Sequence, residues 1–176
     1  MISEEGLTRC YQEMWRNVRK RLLERTNKDY SHDLLVSAEP IRVYVDDEKI
    51  PTVVFKMHIP ENTKNGFGDA HGGSLITIID VLTYNAVYSE PSLWDETKSF
   101  AEQDWKAVRA IAGVSRKLNV RFVRPVQVDE VYYVTTKLVQ NSKGSAFISA
   151  RIHDENQKTF VFGVQDLTKL YKQIKL

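Results

Sequence analysis

Leu7, Cys10, Tyr11, Met14, Trp15, Val18 and Leu22 recur at spacings of three and four residues, and Arg9, Arg16, Arg19, Lys20, Arg21 and Arg25 fill the gaps between them. That period predicts an amphipathic helix over residues 1–28, with one apolar face and one basic face. From residue 33 the period shortens. Residues 34–45 and 52–59 are rich in Val and Ile, and Asp46–Asp47–Glu48–Lys49 supplies the turn between two predicted strands. Residues 71–89 then form a run that is apolar nearly all round, as expected of a buried helix. Beyond it, 114–123, 131–140, 145–153 and 159–167 read as four further strands. Leu118, Val120 and Phe122 alternate with Asn119 and Arg121, and hairpin turns fall at 141–144 and 154–157.

One helix among six mostly antiparallel strands predicts an α+β fold in which the sheet wraps the helix. The organisation expected is an N-terminal helical extension, 1–28, and one domain, 29–176, with an insertion at about 90–108. The extension admits three readings: a helix lying on the domain or on a partner subunit, an organelle-targeting helix, or a membrane-surface helix. Glu4, Glu5, Glu13 and Glu24 fit targeting poorly. Trp94, Phe100 and Trp105 suggest that the insertion packs as a short helix, acting as a lid, a dimer contact or surface decoration.

Charge and composition narrow the function. A net charge of +2 gives no argument for nucleic acid. A single cysteine, Cys10, excludes an intrachain disulfide and a cysteine metal cluster. Histidines at 32, 58, 71 and 153 lack ligand spacing, so no metal is expected. No apolar run reaches membrane-spanning length. The expectation is a soluble intracellular protein, cytoplasmic or mitochondrial.

Chemistry concentrates where the apolar helix begins. Gly72 and Gly73 leave unpaired backbone N–H groups at the positive end of the helix dipole and let a ligand approach the backbone. Asp80 stands inside the helix among Ile78, Ile79, Val81 and Leu82. Such a carboxylate is either held by structural hydrogen bonds or is a nucleophile or general base. His71 either acts as a base or fixes the loop and a substrate carbonyl. Asn65 is either a turn residue before Gly66 or a side-chain donor. The gap from Gly72 to Asp80 is eight residues, or about 12 Å of helix axis. An oxyanion donor and an attacking group must each lie about 3 Å from one carbonyl. If both residues are catalytic, each site takes them from two antiparallel subunits, and the protein is an obligate dimer.

Asn65, the triplet His71–Gly72–Gly73 six residues on, Asp80, and Gly113–Val114–Ser115 with Asn119 and Pro125 together resemble the hot-dog fold acyl-CoA thioesterases of the PaaI-like branch. The resemblance runs over residues 33–168. It implies acyl-CoA hydrolysis at a two-chain site, with Gly72 as oxyanion donor and Asp80 as nucleophile or base. Ser115 is then the group that orients Asp80 and water, against the alternative of an ordinary strand hydroxyl. It also implies a homo-oligomer, a dimer at least and a tetramer by the same resemblance, with CoA as part of the substrate and no separate cofactor. Arg121, Arg124 and Lys143 are candidates for the CoA phosphates, and Arg116 and Lys117 are weaker ones. Two other functions remain in view: a regulatory hot-dog protein that binds acyl-CoA without turnover, and a hydratase. No His follows Asp80 within the helix, which argues against the hydratase.

Overall fold

The computed structural model describes residues 2–24, 31–104, 108 and 113–169. Helix α1 spans Glu4–Leu23, capped by the Ser3 side chain, which accepts from the Gly6 N–H. The predicted end of this helix at residue 28, with Arg25, lies outside the described residues, as does Trp105. Helix α2 (His32–Ser37) follows, then β1 (Ala38–Val45), β2 (Pro51–His58), α3 (Gly72–Ala86), β3 (Gly113–Phe122), β4 (Val131–Asn141), β5 (Ser145–His153) and β6 (Thr159–Lys169). All neighbours are antiparallel, in the order β1-β2-β4-β5-β6-β3. This six-stranded sheet around one central helix is the arrangement expected from the sequence.

Two boundaries differ. Residues 34–37 are helical rather than extended: α2 tucks Leu34 and Leu35 against Met57, Ile78, Val81 and Leu82. A short apolar run carries no period that separates strand from helix, so packing decides. Among its described residues the insertion has two turns of 3₁₀ helix, Pro91–Leu93 and Phe100–Glu102. It docks on the start of α1, where Glu96 accepts from the Ser3 hydroxyl at 2.6 Å and Arg9 donates to the Glu96 carbonyl at 2.6 Å.

The predicted face of α1 is buried, including Leu7, Cys10, Tyr11, Met14, Trp15 and Leu22. Trp15 and Tyr11 pack on Phe55 of β2, with centroids 5.2 and 6.2 Å apart. The same helix satisfies the outer edge of β1. Trp15 Nε1 donates to Ala38 O, Gln12 Nε2 to Pro40 O, and Thr8 Oγ1 both donates to Val43 O and accepts from Val43 N, all at 2.9 Å. An open strand edge presents unpaired N–H and C=O groups that can template another chain. Helix α1 closes that edge and leaves β3 as the exposed one, with Val114 47% and Phe122 50% accessible.

Helix α3 lies in the concave face of the sheet. Leu75, Ile78, Ile79, Leu82 and Ala86 are buried. Gly163 of β6 makes room for it: a Cβ there would lie 2.5 Å from the Ile79 Cγ2. One stripe of α3 stays partly open, with Ile76 39% accessible and Asp80 half-buried.

Candidate active site

Asp80 is held from two strands. Ser115 of β3 donates its hydroxyl to Asp80 Oδ1 at 2.8 Å. The Gln165 amide of β6 donates to the same oxygen and, at 2.9 Å, to Ser115 Oγ. Behind it, Thr83 Oγ1 donates to Gln165 Oε1 at 2.6 Å. A carboxylate only accepts, so the Gln165 nitrogen must face Asp80 and its oxygen must face Thr83. Gln165 is fully buried, so this orientation is fixed by neighbours rather than by water. The second carboxylate oxygen, Oδ2, has no partner among the described residues. One oxygen is anchored and the other is presented.

A β-bulge aims Ser115. The β3–β6 register runs Ser115 to Leu167 and then Lys117 to Asp166, leaving Arg116 as the extra residue. Strict alternation from Leu118 and Val120 would turn Ser115 outward. The bulge returns it to the face that meets α3.

The other half of the predicted set gathers at the start of α3. His71 is the N-cap: its Nδ1 accepts from Gly73 N at 3.0 Å, and its own N–H bonds Thr63 O at 2.7 Å. That cap needs an unprotonated Nδ1, which puts the ring proton on Nε2. The Gly72 N–H, next in line, has no partner among the described residues. A Cβ on Gly72 would meet the Phe122 ring at 3.3 Å, so the glycine also permits close packing on β3. Asn65 accepts at Oδ1 from Phe67 N at 2.8 Å and from Asp69 N at 3.2 Å, which makes it an Asx turn residue. Its Nδ2 has no partner among the described residues.

Within one chain these two groups stay apart. Asp80 lies beside Ser115 near one end of β3, and Gly72 lies beside Phe122 at the other. The candidate CoA cations divide likewise. Arg121 and Arg124 sit at the Phe122 end, where the Arg124 backbone N–H bonds Phe160 O at 3.1 Å. Lys143, in the β4–β5 turn, sits at the Gly113 end of the sheet. Arg116, on the bulge, is 3.9 Å from Asp166, and Lys117 is exposed beside it.

Gln165 and Thr83 are the site residues that motif reasoning missed. Val161, Gly163, Gln165 and Leu167 share the buried face of β6, so a polar side chain among them was the available signal. Among the described residues, no three His, Cys, Asp or Glu are placed to hold a metal, and no helix is long and apolar enough to cross a membrane.

Residues 67–161 match the thioesterase superfamily. Comparison with curated proteins finds no match. Among solved structures, zebra fish thioesterase superfamily member 2 superposes with a TM-score of 0.66 at 19% identity, over 90% of this chain and 98% of that one. The Escherichia coli PaaI protein, from the phenylacetic acid degradation operon, gives 0.62 at 16% identity, over 93% and 96%. A hypothetical thioesterase from Streptococcus pneumoniae TIGR4, solved with coenzyme A, gives 0.53 at 16% identity, over 67% and 80%. At such identities the likeness is one of fold, and that shared fold is the hot-dog. With the family match spanning more than half of its residues, the chain belongs to the thioesterase superfamily.

Proposed function

We propose that the protein hydrolyses acyl-CoA thioesters at two composite sites in a homodimer, each joining Asp80 of one subunit to Asn65, His71 and Gly72 of its partner. The observation that carries this reading is the pairing of a carboxylate anchored through one oxygen with a Gly72 N–H that has no partner among the described residues and lies about 12 Å away on the same helix. Superfamily membership supports thioester hydrolysis in general. Binding of coenzyme A by the streptococcal neighbour supports a CoA ester as its form.

The open β3 edge supplies the two-fold. Antiparallel pairing of β3 with its copy sets the Ser115 end of one strand against the Phe122 end of the other. Helix α3 follows β3, so Asp80 then approaches the partner's Gly72. The same operation brings Arg121 and Arg124 of one subunit to the end that carries the partner's Lys143, where they form a cationic mouth for the CoA phosphates.

In this site the thioester carbonyl oxygen accepts from the Gly72 N–H and the Asn65 amide, which stabilise the oxyanion as it forms. Asp80 Oδ2 attacks the carbonyl carbon or takes a proton from the attacking water, while Ser115 and Gln165 hold Oδ1 still. His71 shapes the entry of α3 and orients Nε2–H outward as a further donor. The thiolate of CoA leaves, and water supplies the second oxygen of the free acid.

The test measures free thiol released from short-, medium- and long-chain acyl-CoAs and from an aryl-acetyl-CoA. Wild type is expected to turn over at least one class, and Asp80→Asn to lose at least about a hundredfold in kcat/KM. Binding of acyl-CoA without thiol release by wild type would replace hydrolysis with ligand sensing.

A further inference from the structure

Helix α1 and the insertion form the walls of an open cavity of about 450 Å³ against the last turn of α3. Its described lining is Met14, Asn17, Val18 and Arg21 of α1, Tyr84 and Asn85 at the end of α3, Tyr88 just beyond it, and Phe100 and Val108 of the insertion. This volume lies within the range of small-molecule sites.

Its position relates it to Asp80. Ile76, Asp80 and Tyr84 are four residues apart, so they lie one above another on the open stripe of α3. Tyr84 is one helical turn, about 5.4 Å, beyond the carboxylate, and Tyr88 follows in the 3₁₀ turn Val87–Ser89. An acyl chain whose carbonyl sits beside Asp80 meets Tyr84 first and the cavity next. An acetyl group ends before it.

The lining chemistry defines what fits. Two amide nitrogens of the wall are engaged by the protein itself. Asn17 Nδ2 donates to Glu13 O and Asn85 Nδ2 to Val81 O, both at 2.8 Å. Burial, with Tyr84 alongside, pushes the Tyr88 phenol well above its ordinary range and keeps it neutral. Arg21 is the one charged residue in the described lining, and it is exposed on the last turn of α1. The apolar part of the wall is Met14, Val18, Phe100, Val108 and the tyrosine rings, with Met14 able to adapt to a flexible chain.

We propose that this cavity receives the acyl tail and makes the enzyme selective for medium-chain aliphatic acyl groups, with α1 and the insertion as its walls. This rests on the reading in which the thioester carbonyl sits beside Asp80.

The test uses non-hydrolysable S-alkyl-CoA thioethers, butyl and dodecyl, in equilibrium binding, with thiol release from butanoyl- and dodecanoyl-CoA measured in parallel. Affinity is expected to tighten with length, by up to about fourfold per methylene that enters the cavity. Val18→Trp, which fills the cavity from α1, should weaken dodecyl binding at least tenfold and leave butyl binding unchanged. Phe100→Ala opens the opposite wall and is expected to change dodecyl binding alone, which serves if the tryptophan variant fails to fold. Equal effects on both lengths, or none on either, overturn the proposal. Length-dependent binding that Val18→Trp abolishes, without thiol release by wild type, removes hydrolysis but keeps the tail site. Loss of both removes both.

Discussion

The Gln165 amide donates to the same Asp80 oxygen that accepts the Ser115 hydroxyl, and its own oxygen lies 2.6 Å from the Thr83 hydroxyl. Two strands therefore converge on one carboxylate oxygen and leave its twin unpartnered among the described residues. A carboxylate held this way does not have to give up a rotamer when substrate arrives, which is the preorganisation that an attacking or water-activating group needs.

Gln165 is expected to act through Asp80 rather than on substrate. A hydrogen bond to a charged group contributes about 1.5–3 kcal/mol, so Gln165→Leu should lower kcat about ten- to a hundredfold while KM changes little. Thr83→Val, which removes the partner of the amide oxygen but leaves Asp80 to hold its nitrogen, should cost less. Steady-state kinetics on the best acyl-CoA check both. A KM effect without a kcat effect would place Gln165 in binding instead.

Gly163 sets how closely α3 approaches β6, because a Cβ there would overlap Ile79 Cγ2. Overpacking of this kind costs about 1–3 kcal/mol, and each kcal/mol lowers Tm by about 2–4 °C in a chain of this size. Gly163→Ala should therefore lower Tm by several degrees. It should also reduce kcat, because the displaced helix pulls Asp80 from Ser115 and Gln165. Thermal melts and thiol release on the same preparation separate the two effects.

His153 supplies a pH dependence of stability away from the site. Its ring lies buried between Thr135, whose hydroxyl is 2.8 Å from Nε2, and the Asp154 carbonyl, 2.8 Å from Nδ1. Burial pushes the imidazole below the usual histidine range, only partly opposed by the Asp154 carbonyl. The folded state thus keeps it neutral, while the unfolded chain protonates it near pH 6.5. Its stabilising contribution is fully present above about pH 6.5 and is lost as pH falls through that value toward the folded pKa. Tm should fall more steeply between pH 7 and pH 5 in wild type than in His153→Gln. Parallel slopes would contradict this.

Exposed apolar residues on the β3 face are the expected dimer seam. Val114→Glu together with Ile76→Glu should give a folded monomer with no thioesterase activity, seen by light scattering alongside circular dichroism. An active monomer would refute the shared site.

Much of this was legible in the residue pattern. The period of α1, the apolar run of α3 and the strand alternations fix the architecture. His71, Gly72 and Asp80 stand out because a glycine pair and a carboxylate are poor choices for an apolar helix. Ser115 was legible as a residue type but not as a direction, because the bulge at Arg116 that turns it inward leaves no mark on the alternation. Gln165 was hidden for a different reason: one amide in a strand looks ordinary until the register shows that its neighbours two residues away are buried. Residues 34–37 read as extended from the pattern because four positions hold barely one helical period, too few to tell it from strand alternation. Which cations share an end of the sheet depends on long-range pairing, so Lys143 and Arg124 could be named but not located.

The central claim, a site built from two subunits, has a direct test by complementation. Asp80→Asn and Asn65→Ala are each expected to be nearly inactive as homodimers. After the two variants are unfolded together and refolded at equal amounts, half of the dimers are mixed, and each mixed dimer has one wild-type site of its two. The account predicts recovery of about a quarter of wild-type activity. If every site lay within a single chain, no combination of these two variants would restore one, and the mixture would stay as inactive as its parts.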